Sequence, residues 1–178
     1  MLGHFNSGTS IPASRVYAEA GIPQIAMATS PQYTAQGFKT TFRAMTSDTQ
    51  QGGVMGSVAV GKLQAKAIAI IDDRTAYGQG LADEFEKAVK AAGGNVVKRE
   101  FTNDKAVDFR AILTSIKKAN ADLIFFGGAD AQGGTMVAQM PELGVKAQFV
   151  GGEMLKSPKF IELAGPSAEG TIASLAGL

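Results

Sequence analysis

Few residues of this 178-residue chain have both the type and the spacing to do chemistry. Asp72 and Asp73 follow the apolar run Ala67–Ile71, and Tyr77 comes four residues later. Glu153 follows a second apolar run, Ala147–Val150, across the pair Gly151-Gly152. In open α/β sheets ligands collect outside the carboxyl ends of strands. A tyrosine and a carboxylate, each placed just past a strand end, suit a ligand with an ammonium group and an apolar body. Covalent catalysis has far less support. The chain has no G-x-S-x-G, no P-loop lysine motif and no H-E-x-x-H, and the single histidine, His4, reads as structural. The Asp72-Asp73 pair resembles the acidic pair of a phospho-accepting receiver domain. Such a domain also needs a further Asp and a Lys after later strands, and the late loop here reads Gly151-Gly152-Glu153. Asp72 and Asp73 are therefore read as loop caps or hinge-facing charges.

The elements that must hold these residues follow from periodicity. Ala67–Ile71 is a continuous apolar run between polar residues, the pattern of a parallel strand buried on both faces. Gly78 and Gly80 flank the turn after it, and Leu81, Phe85 and Val89 then give a helix with one apolar stripe, ended by Gly93-Gly94. Asn95–Phe101 is a strand. Phe109, Ile112, Leu113 and Ile116 fit the i, i+3, i+4, i+7 template of a helix. Asp122–Phe126 is a strand, a helix carries Met136, Val137 and Met140, and Ala147–Val150 is a strand. A short helix over Pro158–Ala164 and a strand over Thr171–Leu175 finish the chain. Upstream, Thr49 to Leu63 reads as a helix despite four glycines. The start reads as a loop to Ser10, a helix capped by Ser10 and opened by Ile11-Pro12, a strand Pro23–Ala28, a turn Thr29-Ser30-Pro31 and a strand Thr40–Ala44. Residues 47–178 thus alternate strand and helix, the signature of an open, mostly parallel sheet with helices on both faces. Three loops, Asp72–Tyr77, Gly127–Asp130 and Gly151–Glu153, should converge on one edge of that sheet. For their glycines alone, ordinary turn chemistry is a sufficient reading.

Bulk properties narrow the classes. The chain is 45% hydrophobic with a formal net charge of +1, which predicts a globular protein without a nucleic-acid footprint. It has no cysteine, so thiol catalysis, disulfides and cysteine metal sites are excluded. No apolar run reaches the roughly 20 residues that span a bilayer. Met1-Leu2-Gly3-His4 lacks the basic start and apolar stretch of a signal peptide.

Several stretches together resemble a known family. GHFNSGTSIPAS, the Ser30-Pro31…Gly37 turn, IIDDRTAYGQGLA, DFRAILTSIKKANADLIFFGG and VKAQFVGGE occur in the order found in branched-chain amino acid (Leu/Ile/Val-type) solute-binding proteins of ABC transporters. The resemblance implies the type I periplasmic-binding fold, whose lobe is flavodoxin-like, and a chain covering the middle of such a protein. Residues 1–45 would be an incomplete remnant of lobe one, and 46–178 the α/β domain of lobe two. It implies binding without catalysis, no cofactor or metal, a periplasmic location and an ABC permease as partner. Carried over by position, Ser7 would bind the ligand carboxylate and Thr29 both carboxylate and ammonium. Met27 would offer a backbone carbonyl, and Phe5 and Asn6 would line the side-chain pocket. Glu153 would pair with the ammonium and Tyr77 would close over the ligand. One position departs from the family. Ala129 stands where a second cleft tyrosine is expected, so a larger or more polar ligand would fit, and Asp130 becomes either an extra polar contact or a helix N-cap.

A competing expectation follows from residues 1–45, which hold too few strands for a sheet of their own. They would expose Ile22, Ile25, Met27 and unpaired strand edges, which invite pairing between copies. The chain is then expected to be a homodimer with exchanged N-terminal segments, and under this alternative it is a self-associating unit that binds no ligand.

Overall fold

In the computed structural model, which describes residues 1–175, the N-terminal part is a two-stranded parallel sheet with two helices. Helix α1 (Ser7–Glu19) leads to strand β1 (Gln24–Ala26), helix α2 (Pro31–Ala35) and strand β2 (Thr41–Arg43). β1 and β2 pair from Gln24–Thr41 to Ala26–Arg43. Ala26, Ala28 and Tyr33 form a small core against Ile11. Two expectations change here. α1 begins at Ser7, not after Ser10. Ser10 lies inside the helix and its hydroxyl donates to the His4 carbonyl at 3.1 Å, so it caps nothing. The expected turn at Pro31 runs directly into α2, because proline's fixed φ and missing N–H cost nothing in a first turn.

The larger unit opens with α3 (Asp48–Ser57), which continues as a π-helical turn over Val58–Lys62. Then come β3 (Ile68–Asp72), α4 (Ala76–Ala91), β4 (Val96–Phe101), α5 (Arg110–Lys118), β5 (Leu123–Gly127), α6 (Asp130–Gln139), β6 (Gln148–Gly151), α7 (Pro158–Ala164) and β7 (Ile172–Ala173). The five strands are all parallel, in the order β4-β3-β5-β6-β7. This is the flavodoxin-like order, with the switch point between β3 and β5. The expected end of this unit at Leu178 lies outside the described residues.

Alternation along the central strands decides the layers. Ile68, Ile70, Leu123 and Phe125 point to one face and pack on Met55, Leu81, Phe85 and Val89 of α3 and α4. Ala69, Ile71, Ile124 and Phe126 point to the other, against Leu113 and Ile116 of α5, Met136 of α6 and Phe160 of α7. β3 and β5 are buried at every position, which is why they read as unbroken apolar runs. The Phe85 and Phe125 rings stack with centroids 3.8 Å apart. Each such side chain contributes about 1.5–3 kcal/mol by leaving water.

The glycines of α3 have a packing reason. A Cβ at Gly52 would lie 2.7 Å from the Phe85 nitrogen, and one at Gly56 would lie 2.6 Å from the Ala88 Cβ. Without side chains there, α3 comes close to α4 at both positions.

Candidate functional site

Strand ends place the site. After β3, Asp72 and Asp73 fold back to hold the turn. Asp72 is buried, accepts from the Arg74 amide at 3.0 Å and pairs with Arg99 at 2.7 Å. Asp73 Oδ1 accepts from the amide and hydroxyl of Thr75 at 3.0 and 2.6 Å. Burial pushes the Asp73 carboxyl up, and the two Thr75 contacts oppose that rise. Thr75 in turn caps α4 by accepting from the Gly78 amide at 2.9 Å. Tyr77 therefore stands in the first turn of α4, not in the preceding loop. Gly78 also sits in the helix, where a Cβ would lie 2.4 Å from the Gly127 carbonyl. That contact brings the start of α4 against the end of β5.

Tyr77 and Glu153 meet as a pair. The Tyr77 hydroxyl donates to Glu153 Oε2 at 2.9 Å, and the ring is almost wholly buried. Burial first, then the Glu153 charge, pushes the phenol well above its ordinary range, so it remains a donor. Gly152 makes the pairing possible, because a Cβ there would come within 2.3 Å of the Tyr77 hydroxyl oxygen.

Opposite them stand residues of the N-terminal unit. Ser7 is the first residue of α1, and its Oγ accepts from the Ser30 amide at 3.2 Å. Asn6 occupies the α1 cap position without a side-chain cap bond. Thr29 follows β1, and its carbonyl accepts from the Asp48 amide at 2.8 Å. Between the two units lies a cavity of about 300 Å³. Phe5, Asn6, Ser7, Met27 and Thr29 line it from one side and Tyr77 and Glu153 from the other. The structure thus brings seven of the nine expected residues to one cavity.

The other two are placed differently. Ala129 lines a neighbouring cavity of about 350 Å³, whose wall shares Asn6, Tyr77 and Met154 with the first. Asp130 lines neither cavity. α6 starts at Asp130 with Ala129 in the cap position. Asp130 Oδ1 accepts from the Ala131 amide at 2.9 Å, and Oδ2 accepts from the Ser157 hydroxyl at 2.6 Å. Ser157 caps α7, so Asp130 joins α6 to α7.

Four lining residues escape sequence reasoning: Met45, Met154, Lys156 and Leu175. Met154 and Lys156 adjoin Glu153 in the chain, and that adjacency was the available signal. Asp48 also escaped. It lies in the first turn of α3, fully buried, and its carboxyl is pushed up to about 7 by burial and by the Glu153 charge, against the pull of Arg43. The Thr29 hydroxyl lies near enough to temper that rise. Even so, neither Asp48 oxygen makes a hydrogen bond of good geometry among the described residues. No group of three His, Cys, Asp or Glu among the described residues is placed to hold a metal ion.

Comparison with known proteins bears on this cleft. The family model described as "Periplasmic binding protein" matches residues 1–177. A Leu/Ile/Val-binding protein homolog of Brucella suis is 43% identical over 173 residues, which are 97% of this chain and 47% of that protein. The chain spans about half the length of the curated relatives it matches. Among solved structures, a leucine binding protein from Thermotoga maritima superposes with a TM-score of 0.90 at 27% identity, over 94% of this chain and 48% of that one. A branched-chain amino acid transporter substrate binding protein from Streptococcus pneumoniae, solved with isoleucine, superposes with a TM-score of 0.82 at 27% identity, over 92% and 47%.

Proposed function

The chain belongs to the periplasmic binding protein family, and we propose that its cleft captures an aliphatic amino acid or a related small ligand. The observation that carries this reading is the cavity itself, walled by Glu153 and Tyr77 on one side and by Ser7 and Thr29 on the other. The ligand's ammonium lies at Glu153 and Thr29, where a charge-assisted contact in a partly desolvated cleft is strongest. Its carboxylate lies at Ser7, where the first turn of α1 offers amides to an anion. Phe5, Met27, Met45 and Leu175 surround the apolar side chain. Ala129 leaves the neighbouring cavity open, so the site accepts side chains longer or more polar than leucine's. No bond is made or broken. Contacts from both units favour the closed arrangement, and closure is the functional event. An ABC permease is the partner and the periplasm the location, as the family's name and its amino-acid-transporting members suggest.

Calorimetric titration of the chain with leucine, isoleucine, valine and a panel of other amino acids tests this reading. Saturable binding is expected, and Glu153→Gln is expected to weaken it by roughly 2–5 kcal/mol, since a buried ammonium then lacks its counter-charge. Unchanged affinity in that variant would remove Glu153 from the site, and no heat from any ligand would remove the function.

A second reading is favoured by one surface. Ile25 and Phe42 are register partners on the exposed face of the β1–β2 pair, and Leu2 bridges to Ile25 beside them. Half or more of Leu2 and Phe42 is solvent-exposed. Such a face suits a second copy of the chain, as a self-associating unit would use it.

A further inference from the structure

Beneath the cavity floor lies a set of polar groups with no partners. Both Asp48 oxygens, the Thr29 hydroxyl and the Gln51 side-chain nitrogen are buried and make no hydrogen bond of good geometry among the described residues, although the Thr29 hydroxyl lies near enough to temper the rise of the Asp48 carboxyl. Asp48 and Gln51 stand one turn apart on α3, the spacing at which helix side chains neighbour each other. Thr29 is common to both layers, since it lines the cavity and its carbonyl accepts from the Asp48 amide. Orphaned buried polar groups cost about 1–3 kcal/mol each, so such a cluster marks a state that something else completes.

The chemistry of the set is specific. An ionised carboxylate only accepts, and the two groups left without partners beside it, a hydroxyl and an amide NH₂, both donate. A charged Asp48 is therefore the form that both donors suit. What opposes that charge is also visible. Glu153, beside the cavity, and Glu84, on α4, both repel it. Tyr77, on α4, also lies within its field. The cation facing it, Arg43 at the end of β2, is committed to the carbonyls of Ala28 and Ser30 at 2.9 Å each.

We propose that Asp48 is a buried positioning residue for the ligand's ammonium, ionising as the cation enters beside Glu153 and then holding the Thr29 hydroxyl in place. The inference rests on the amino-acid reading above and goes beyond it, because Asp48 does not line the cavity. Burial raises the Asp48 carboxyl most and the Glu153 charge adds to it; a cation near Glu153 removes that second contribution and so favours the charged form. Ligand binding and Asp48 ionisation then favour each other, and by linkage the coupling is reciprocal. Binding releases a proton, and affinity rises with pH until Asp48 is already charged in the free protein.

The test is calorimetric titration of the chain with leucine between pH 5.5 and 8.5, in two buffers of different ionisation enthalpy. Affinity is expected to fall by up to about tenfold per pH unit below 7, with proton release visible as a buffer-dependent heat, and to level off above. In Asp48→Asn, verified as folded by circular dichroism, affinity is expected to be weaker and flat across this range. The same carbon skeleton without the amine, 4-methylpentanoate, is expected to show no such rise with pH in the wild-type chain. Leucine binding that is independent of pH and of buffer would overturn the inference while leaving the amino-acid reading intact. A slope retained in Asp48→Asn would assign the proton to another group and would also overturn it. No binding at any pH would overturn the amino-acid reading, and this inference with it. Should Asp48→Asn fail to fold, the comparison of leucine with 4-methylpentanoate in the wild-type chain remains, and a pH profile shared by both ligands would overturn the inference.

Discussion

Glu153 and Asp48 are carboxylates beside the same cavity, yet burial gives them different work. Glu153 keeps contact with solvent and a phenol donor, whereas Asp48 has neither. The consequence for stability has a definite sign. Asp48 holds its proton more tightly in the folded chain, at about 7, than in the unfolded chain, near 3.8. Its contribution is therefore fully present below the ordinary carboxylate range and is lost as pH rises through about 7. Urea unfolding at pH 5 and pH 8 should show this loss as a few kcal/mol at most in the wild-type chain. Asp48→Asn should lessen it and be the more stable protein at pH 8. A pH-independent difference between the two would show that Asp48 titrates normally. Stability given up at a ligand site is a common exchange for function.

At the scale of elements, the close approach of α3 to α4 sets where Asp48 sits. Gly52 and Gly56 face α4 with no room for a methyl group, while Gly53 on the same helix has open space around it. The two kinds of glycine should respond in opposite directions. Gly56→Ala is expected to destabilise the chain by about 1–3 kcal/mol through overpacking. Gly53→Ala is expected to stabilise it by up to about 1 kcal/mol through helix propensity. Denaturant midpoints measure both, and equal effects would mean that the helices do not pack as described. In the sequence these glycines count only against the helix, because propensity is local and a neighbouring helix is not. Ser10 failed as a cap for a related reason. Cap residues can be used inside a helix when a nearby carbonyl, here that of His4, offers a better partner.

At the scale of the whole molecule, two units of unequal size enclose one cleft, and the smaller presents Leu2, Ile25 and Phe42 to solvent. If a second copy covers that face, light scattering at micromolar concentration should give twice the chain mass. Phe42→Ser should shift the particle to the monomer mass. A monomer before substitution would leave the face without a partner and the self-association reading without support. Ligand binding and association are measured separately, since Leu2, Ile25 and Phe42 do not line the cavity.

The sequence by itself determined the parallel α/β layering and the family. Strands buried on both faces must be unbroken apolar runs, helices on one side must carry a 3.6-residue stripe, and both patterns are local and periodic. It also placed Tyr77 and Glu153 at the cleft, because each stands just past a strand end where a doubly wound sheet opens. Only the tertiary structure decided what those residues touch. Asp130 turned to Ser157 and away from the cavity, since the loop before α7 offered its hydroxyl within 2.6 Å. Lys156 and Leu175 reached the cavity from segments with no motif of their own. Asp48, one acidic residue in a helix's first turn, became a buried acid only in the folded chain, where its amide meets the Thr29 carbonyl. Burial and mutual distance arise from contacts between residues far apart in the chain, and no periodicity records them.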